Sequence, residues 1–177
     1  MNNPNIKIED NEKYISLPYE NVNFLIPDKY IEGTTACHKF DLKLTDWNWD
    51  KINKVSFLGR EIPYLPFDLV ADLFAIKAEE SFGLRNKNIS PKKVIYTYVK
   101  TVIILKNDEN SLVTSMDCCV VTSKECDLKT VNGLPEKILK NLGIEKCCFM
   151  GDKFGIVINP FVFLPILQRN IQGKVLW

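Results

Sequence analysis

Two apolar runs separated by a polar turn set the strongest limit on how this chain folds. Lys93–Leu105 is rich in Val, Ile, Tyr and Thr, which favour strands, and Leu112–Thr122 has the same character. The tetrapeptide Asn107–Asn110 lies between them and predicts a turn. Strands joined in this way run antiparallel, so the pattern excludes an all-helical fold and a purely parallel sheet.

Shorter apolar runs bounded by Pro, Gly, Asn and Asp predict further strands. We expect a tight turn at Gly59-Arg60 to join Lys54–Leu58 to Glu61–Leu65. Because proline has no N–H to donate, Pro63 predicts that the second of these strands lies at a sheet edge. The other predicted strands are Tyr14–Leu17, Val22–Ile26, His38–Leu44, Lys146–Met150 and Phe154–Ile158, the last two joined by a turn at Gly151-Asp152.

Three segments have the marks of helices. Pro66–Phe82 begins with a proline suited to a first turn, and it is followed by Gly83, a natural helix stop. Leu134–Leu142 and Pro160–Asn170 are the other two, and Asn159 is expected to cap the last. The chain is therefore predicted to be α+β, a mostly antiparallel sheet of short strands plus one long hairpin, packed against two or three helices. We expect a frayed polar N-terminus over 1–12 and a single domain over 13–177.

Composition narrows the range of functions. The 177 residues are 46% hydrophobic and 25% charged, as in ordinary globular domains, and the net charge is +1. A protein that binds nucleic acid through its charge is usually clearly basic, so nucleic acid is not an expected partner. The sequence shows no export signal and no apolar run of about 18 residues, so we expect a cytoplasmic protein without a membrane span.

The cysteines and the single histidine are the candidate ligands of a zinc site and the candidate residues of a thiol site. Zinc knuckles separate two ligands by about two to four residues, and neither Cys118-Cys119 nor Cys147-Cys148 has that spacing. Cys37 and His38 are neighbours, so on a strand they point to opposite faces and form no catalytic dyad. We therefore expect packed, reduced thiols, no metal, no cofactor and no catalytic constellation. The cysteines are Cys37, Cys118, Cys119, Cys126, Cys147 and Cys148.

Acidic residues in the first predicted helix form the first candidate binding surface. At about 100° per residue, Asp68, Asp72 and Glu79 fall within about 40° of one another. Like charges four residues apart do not stabilise a helix, so we expect an outward acidic stripe that contacts a basic protein partner. The alternative is an ordinary solvated helix face.

Aromatic residues form the second candidate. Trp and Tyr are frequent among the residues that dominate interface energies, which makes Trp47, Trp49 and Tyr64 candidate anchors for a partner. The alternative is a loop held to the core by its two tryptophans.

By elimination, the sequence favours a non-catalytic protein-binding module. A specific form is an immunity or antitoxin protein that covers the basic active site of a nuclease toxin with carboxylates, and the richness in Asn, Lys and Ile is typical of AT-rich bacterial genes. Two alternatives stay open. One is a small cytosolic hydrolase that uses dispersed carboxylates or one of Cys118 and Cys119. The other is a structural or assembly subunit.

Overall fold

Strands dominate the computed structural model of the protein, which describes residues 11–36, 54–83, 100–106, 111–114, 119–123 and 133–165. The described strands form two five-stranded sheets. The strands of the first sheet are β1 Lys13–Tyr19, β2 Val22–Pro27, β8 Cys119–Thr122, β9 Ile144–Met150 and β10 Lys153–Ile158. Their order in the sheet is β8-β1-β2-β10-β9, and neighbouring strands are antiparallel except for the parallel pair β2 and β10.

The second sheet is formed by the middle of the chain. Its strands are β3 Ile31–Ala36, β4 Lys54–Phe57, β5 Arg60–Pro66, β6 Thr101–Leu105 and β7 Ser111–Thr114. Their order is β3-β6-β7-β5-β4, and neighbouring strands are again antiparallel except for the parallel pair β5 and β7. The chain thus starts in the first sheet, builds the second and returns to the first at β8.

Helices lie between and beside the sheets. They are α1 Phe67–Ser81, α2 Glu136–Asn141 and the described part of a last helix, 160–165, with a 3-10 turn at Asp28–Tyr30. Two predicted glycine stops and one predicted asparagine cap are confirmed at the helix ends. Gly83 and Gly143 take positive φ angles just beyond α1 and α2, and the side chain of Asn159 accepts a hydrogen bond from the Phe161 N–H at 3.0 Å.

One hydrophobic cluster joins both sheets to the helices. It includes Leu17 of the first sheet, Ile103 of the second and Phe67 of α1, all almost completely buried. Edge-to-face ring contacts continue it, with centroid distances of 5.2 Å from Phe24 to Phe74 and 4.9 Å from Phe74 to Phe163. The α+β fold predicted from the sequence is confirmed.

The other face of the first sheet encloses a second, smaller cluster. Lys146 of β9 forms a salt bridge of 3.9 Å with Glu12, the residue before β1, so the sheet curls until its two sides approach. Cys148 of β9 is fully buried inside the curl, and its thiol donates to the Gly155 carbonyl at 3.5 Å. A Cβ added to Gly155 would lie 2.7 Å from the Cys148 sulfur, so this position requires glycine. The cluster consists of Tyr14, Leu25, Cys148 and Val157.

The predicted long strand Leu112–Thr122 is wrong. Its first part, β7, pairs with β6 in the second sheet, whereas its last part, β8, pairs with β1 in the first sheet. The chain therefore changes sheets between Thr114 and Cys119, and residues 115–118 lie outside the described residues. The antiparallel pairing of β6 with β7 itself is confirmed.

The edge position predicted for Pro63 is also wrong, because β5 lies between β4 and β7. The proline is tolerated because the two ladders hardly overlap: β4 pairs with Arg60–Pro63, and β7 pairs with Tyr64–Pro66. The predicted hairpin of β4 and β5 is confirmed, but its turn is Leu58-Gly59, one residue earlier than expected. The predicted strand His38–Leu44 lies outside the described residues.

Candidate protein-binding surface

The acidic stripe of α1 is not an outward face. Residues 69–74 are all buried, because the first half of α1 is surrounded on every side rather than laid against one sheet. Asp72 is 9% exposed, and the Tyr19 hydroxyl donates a hydrogen bond to its Oδ1. The prediction that Asp72 faces solvent is therefore wrong, whereas Asp68 and Glu79 are half-buried.

The structure describes one of the three candidate aromatic anchors, Tyr64. Tyr64 is 5% exposed, so the expectation of an accessible anchor is wrong at this position. Burial also raises the pKa of the Tyr64 hydroxyl. Trp47 and Trp49 lie outside the described residues, and a binding role for them remains a prediction.

A row of apolar side chains crosses the first sheet at the rim of the main cluster. In the strand register, Tyr19 of β1 pairs with Val22 of β2, Val22 pairs with Phe154 of β10, and Phe154 pairs with Phe149 of β9. Paired residues point to the same face of a sheet. Four side chains therefore stand in line over three strand spacings, about 14 Å. We call Tyr19, Val22, Phe154 and Phe149 the rim row.

One end of the rim row is exposed. Tyr19, Val22 and Phe154 are half-buried and pack against the main cluster, whereas Phe149 is 49% exposed. The Phe149 and Phe154 rings meet edge to face at 5.7 Å, which holds Phe149 in place although it faces solvent. The row thus continues the hydrophobic core onto the surface.

Carboxylates surround the Tyr19 end of the rim row. Burial is the largest cause of the raised pKa of the Tyr19 hydroxyl, followed by its hydrogen bond to Asp72 and by the negative charges of Asp72, Glu20 and Asp68. Glu20 is exposed and has a φ of 51°, a left-handed conformation that is costly for glutamate. A two-residue turn between paired strands favours this conformation, and Leu58 in the turn between β4 and β5 has it too, with a φ of 48°.

A second polar cluster lies where the chain passes from one sheet to the other. The register of β9 against β10 skips Glu145, so this residue is the extra one of a β-bulge. Its carboxylate accepts hydrogen bonds from the Tyr30 hydroxyl and, at 3.3 Å, from Lys29 Nζ. The Tyr30 ring meets Phe161 edge to face at 5.2 Å. These contacts tie the 3-10 turn to β9 and to the last helix.

The pKa values of the bonded groups follow from these contacts. Burial and the Glu145 hydrogen bond raise the pKa of the Tyr30 hydroxyl. Burial by itself lowers the pKa of the Lys29 ammonium, but the hydrogen bond and charge of Glu145 outweigh that effect, so the pKa is raised. Both groups therefore keep their protons at neutral pH, and the cluster is a structural tether rather than an acid–base pair.

Thiols and carboxylates show no metal-binding arrangement within the described ranges, since no three such groups converge there. Cys147 and Cys148 point to opposite faces of β9, and both are buried because Cys147 lies in the main cluster and Cys148 in the smaller one. Burial raises the pKa of the Cys147 thiol, which disfavours the reactive thiolate. Cys119 is an exposed free thiol on β8, and Cys37, Cys118 and Cys126 lie outside the described residues.

Sequence reasoning missed the rim row, although part of its signal was present. A two-residue turn at Gly151-Asp152 pairs the residues on either side symmetrically, which brings Phe149 opposite Phe154. The pairing of β10 with β2 joins residues more than 120 positions apart, and no local pattern indicates it.

Among the described residues, no helix is long and apolar enough to span a membrane. No protein-family model matches this sequence, and comparison with curated protein sequences gives no match. One solved structure with a similar arrangement is the scaffolding protein TtCheW from Thermoanaerobacter tengcongensis, with a TM-score of 0.45 and 10% sequence identity over 89% of this chain and 90% of that chain. At this level of similarity, no property of TtCheW is transferred to this chain.

Proposed function

We propose that this protein is a non-catalytic binding module that contacts a protein partner through the rim row. The observation that carries the proposal is the exposure of Phe149 in continuity with the core, through Phe154 and Val22. Aromatic side chains on a rigid support lose little conformational entropy on binding, and for this reason they are frequent anchors of interfaces.

The pKa values of the described titratable groups favour binding over catalysis. The described titratable groups with raised pKa values are tyrosines held by burial or carboxylates, a lysine in an ion pair and a buried thiol. Each of these shifts stabilises the ordinary neutral-pH protonation state rather than preparing a nucleophile or base. The narrower expectation of a toxin-neutralising protein gains no separate support from the described residues, so the proposal stops at protein binding.

Affinity purification from the native cells tests the proposal with three forms of the protein: wild type, Phe149→Asp and Leu58→Asp. Leu58 is the matched control, since it is a large apolar residue 81% exposed at the tip of the β4–β5 hairpin. A protein recovered in equal amount with wild type and Leu58→Asp, and lost with Phe149→Asp, supports the rim row. Thermal melting must first show that all three forms are folded.

Two results would contradict the proposal. A stoichiometric partner retained by Phe149→Asp places binding elsewhere on the molecule. The absence of any stoichiometric partner for wild type, together with turnover of a small-molecule substrate, would favour the hydrolase alternative.

A further inference from the structure

We propose that the side chains of Glu12, Tyr14 and Lys146 latch the curled first sheet shut, and that opening of this latch exposes the buried Cys148 thiol while the main cluster stays closed. We call Glu12, Tyr14 and Lys146 the seam latch, because they lie where the two sides of the curled sheet meet. The seam latch is a conformational device that is separate from the rim row and does not depend on a bound partner.

Side chains rather than a strand ladder close the seam of the first sheet. Its end strands are β8 and β9, and within the described ranges no ladder joins β9 to β8 or to β1. Glu12 stands at this seam: its backbone carbonyl accepts a hydrogen bond from the Ser123 N–H at 2.9 Å, just beyond β8, and its carboxylate lies 3.9 Å from the Lys146 ammonium of β9. Because a seam held by side chains has few bonds to break, it can open locally without global unfolding.

The hydrogen bond from Tyr14 is the stronger of the two bonds in the seam latch. The Tyr14 hydroxyl donates to Glu12 Oε2 at 2.5 Å, and the same oxygen pairs with Lys146 Nζ. The ion pair is long and partly exposed, so it contributes little, whereas a buried hydroxyl that loses its acceptor is costly. Burial, followed by the bond to Glu12, raises the pKa of the Tyr14 hydroxyl, which therefore stays a donor at neutral pH.

Tyr14 belongs to the cover of the Cys148 thiol. Both residues lie in the smaller cluster, in which Tyr14 comes from β1 and the other buried members, Leu25, Cys148 and Val157, come from β2, β9 and β10. Tyr14 is 1% exposed, and Cys148 is completely buried. The neighbouring thiol, that of Cys147, lies in the main cluster on the other face of β9. Movement of Tyr14 away from the seam would thus uncover one of these two thiols and leave the other covered.

Alkylation by iodoacetamide in native buffer, with the modified cysteine identified by fragmentation in a mass spectrometer, tests the seam latch. A buried thiol reacts only when its cover opens, so the labelling rate of Cys148 reports the opening equilibrium. Glu12→Ala leaves the Tyr14 hydroxyl buried without its acceptor, and we expect labelling of Cys148 to become about tenfold faster or more. Labelling of Cys147 should stay slow, because the main cluster does not open.

A second substitution distinguishes the seam latch from a general loss of stability. Tyr14→Phe in the Glu12→Ala background removes the hydroxyl without an acceptor and keeps the ring, so labelling of Cys148 should return to within about threefold of wild type. Glu32→Ala is the matched control, since it removes a carboxylate of similar exposure that bonds Arg60 at 2.7 Å in the second sheet. It should leave the labelling rate within about twofold of wild type.

Three results would overturn the proposal. An unchanged labelling rate of Cys148 in Glu12→Ala would show that the carboxylate does not hold the cover in place. Equal acceleration of Cys147 and Cys148 would show that the thiols react through global unfolding. A double variant that reacts as fast as Glu12→Ala would show that the unpaired Tyr14 hydroxyl is not the cause of opening.

Discussion

At the scale of single residues, the hydrogen bond between Tyr19 and Asp72 links the first sheet to α1. Tyr19→Phe removes the donor and keeps the ring, so we expect the free energy of unfolding to fall by about 1.5–3 kcal/mol, the range for hydrogen bonds to charged groups. Urea unfolding at neutral pH measures this loss. Glu79→Gln, a half-buried carboxylate on the same helix, serves as the control and should change little.

Burial of the Tyr19 hydroxyl, together with its bond to Asp72, predicts how stability depends on alkaline pH. The pKa of the Tyr19 hydroxyl is raised in the folded state, so the proton is held more tightly than in the unfolded chain. This contribution to stability is complete below the unfolded pKa of about 10 and is lost as the pH rises towards the folded value. Between pH 9 and 11, stability should therefore fall less steeply in Tyr19→Phe than in wild type. Equal slopes would contradict the assignment.

Gly155 provides a test of the interior of the curled sheet. An added Cβ lies 2.7 Å from the Cys148 sulfur, so Gly155→Ala should cost about 1–3 kcal/mol through overpacking. In a Cys148→Ala background the sulfur is absent, and the same change should cost clearly less. Gly33→Ala is the control, because its Cβ meets only a Phe57 ring atom at 3.8 Å. Additive losses in the double variant would show that the two residues are not in contact.

At the scale of elements, α1 shows where local patterns succeed and where they fail. Pro66 and Gly83 predict its two ends correctly, because both signals act through the backbone of neighbouring residues. The exposed face at Asp72 was predicted from helical periodicity, which assumes that a helix has one covered side. The first half of α1 is covered on all sides, and that depends on distant parts of the chain.

Charge reversal at two positions of α1 compares the burial of Asp72 with that of Glu79. Asp72→Lys places a long cation in a buried position and removes the acceptor of the Tyr19 hydroxyl, so we expect a loss of about 3 kcal/mol or more. Glu79→Lys changes the charge by the same amount at a half-buried position, and we expect a change of about 0.5 kcal/mol or less. Chemical denaturation of both variants gives the comparison. Equal small effects would mean that Asp72 is accessible to solvent.

Strand pairings, like the ends of α1, were predictable where the signal was local in the sequence. Hairpins closed by short turns, such as β4–β5 and β9–β10, were predictable because both partners and the turn lie within about 15 residues. The parallel pairs and the change of sheet between Thr114 and Cys119 were not predictable, because each depends on a partner far away in the sequence. The rim row contains both kinds of pairing: Tyr19–Val22 and Phe149–Phe154 each flank a two-residue turn, whereas Val22–Phe154 joins distant parts of the chain.

At the scale of the whole molecule, the main cluster makes the two sheets depend on each other. Ile103 of the second sheet is fully buried in the same cluster as Ile156 of the first. Ile103→Ala should cost about 2–5 kcal/mol and should lower amide protection in β10 as well as in β6. Hydrogen exchange read by mass spectrometry tests this. Val120→Ala is the control at a 66% exposed site, and loss of protection confined to the second sheet would contradict a shared core.

A photo-reactive side chain placed in the rim row tests whether this row contacts a protein partner. Benzoylphenylalanine is incorporated at position 149, and separately at position 152, where Asp152 is exposed in the adjacent turn. After irradiation in the native cells, we expect one discrete cross-linked protein from position 149 and much less from position 152. Equal labelling from both positions, or none from position 149, would contradict it.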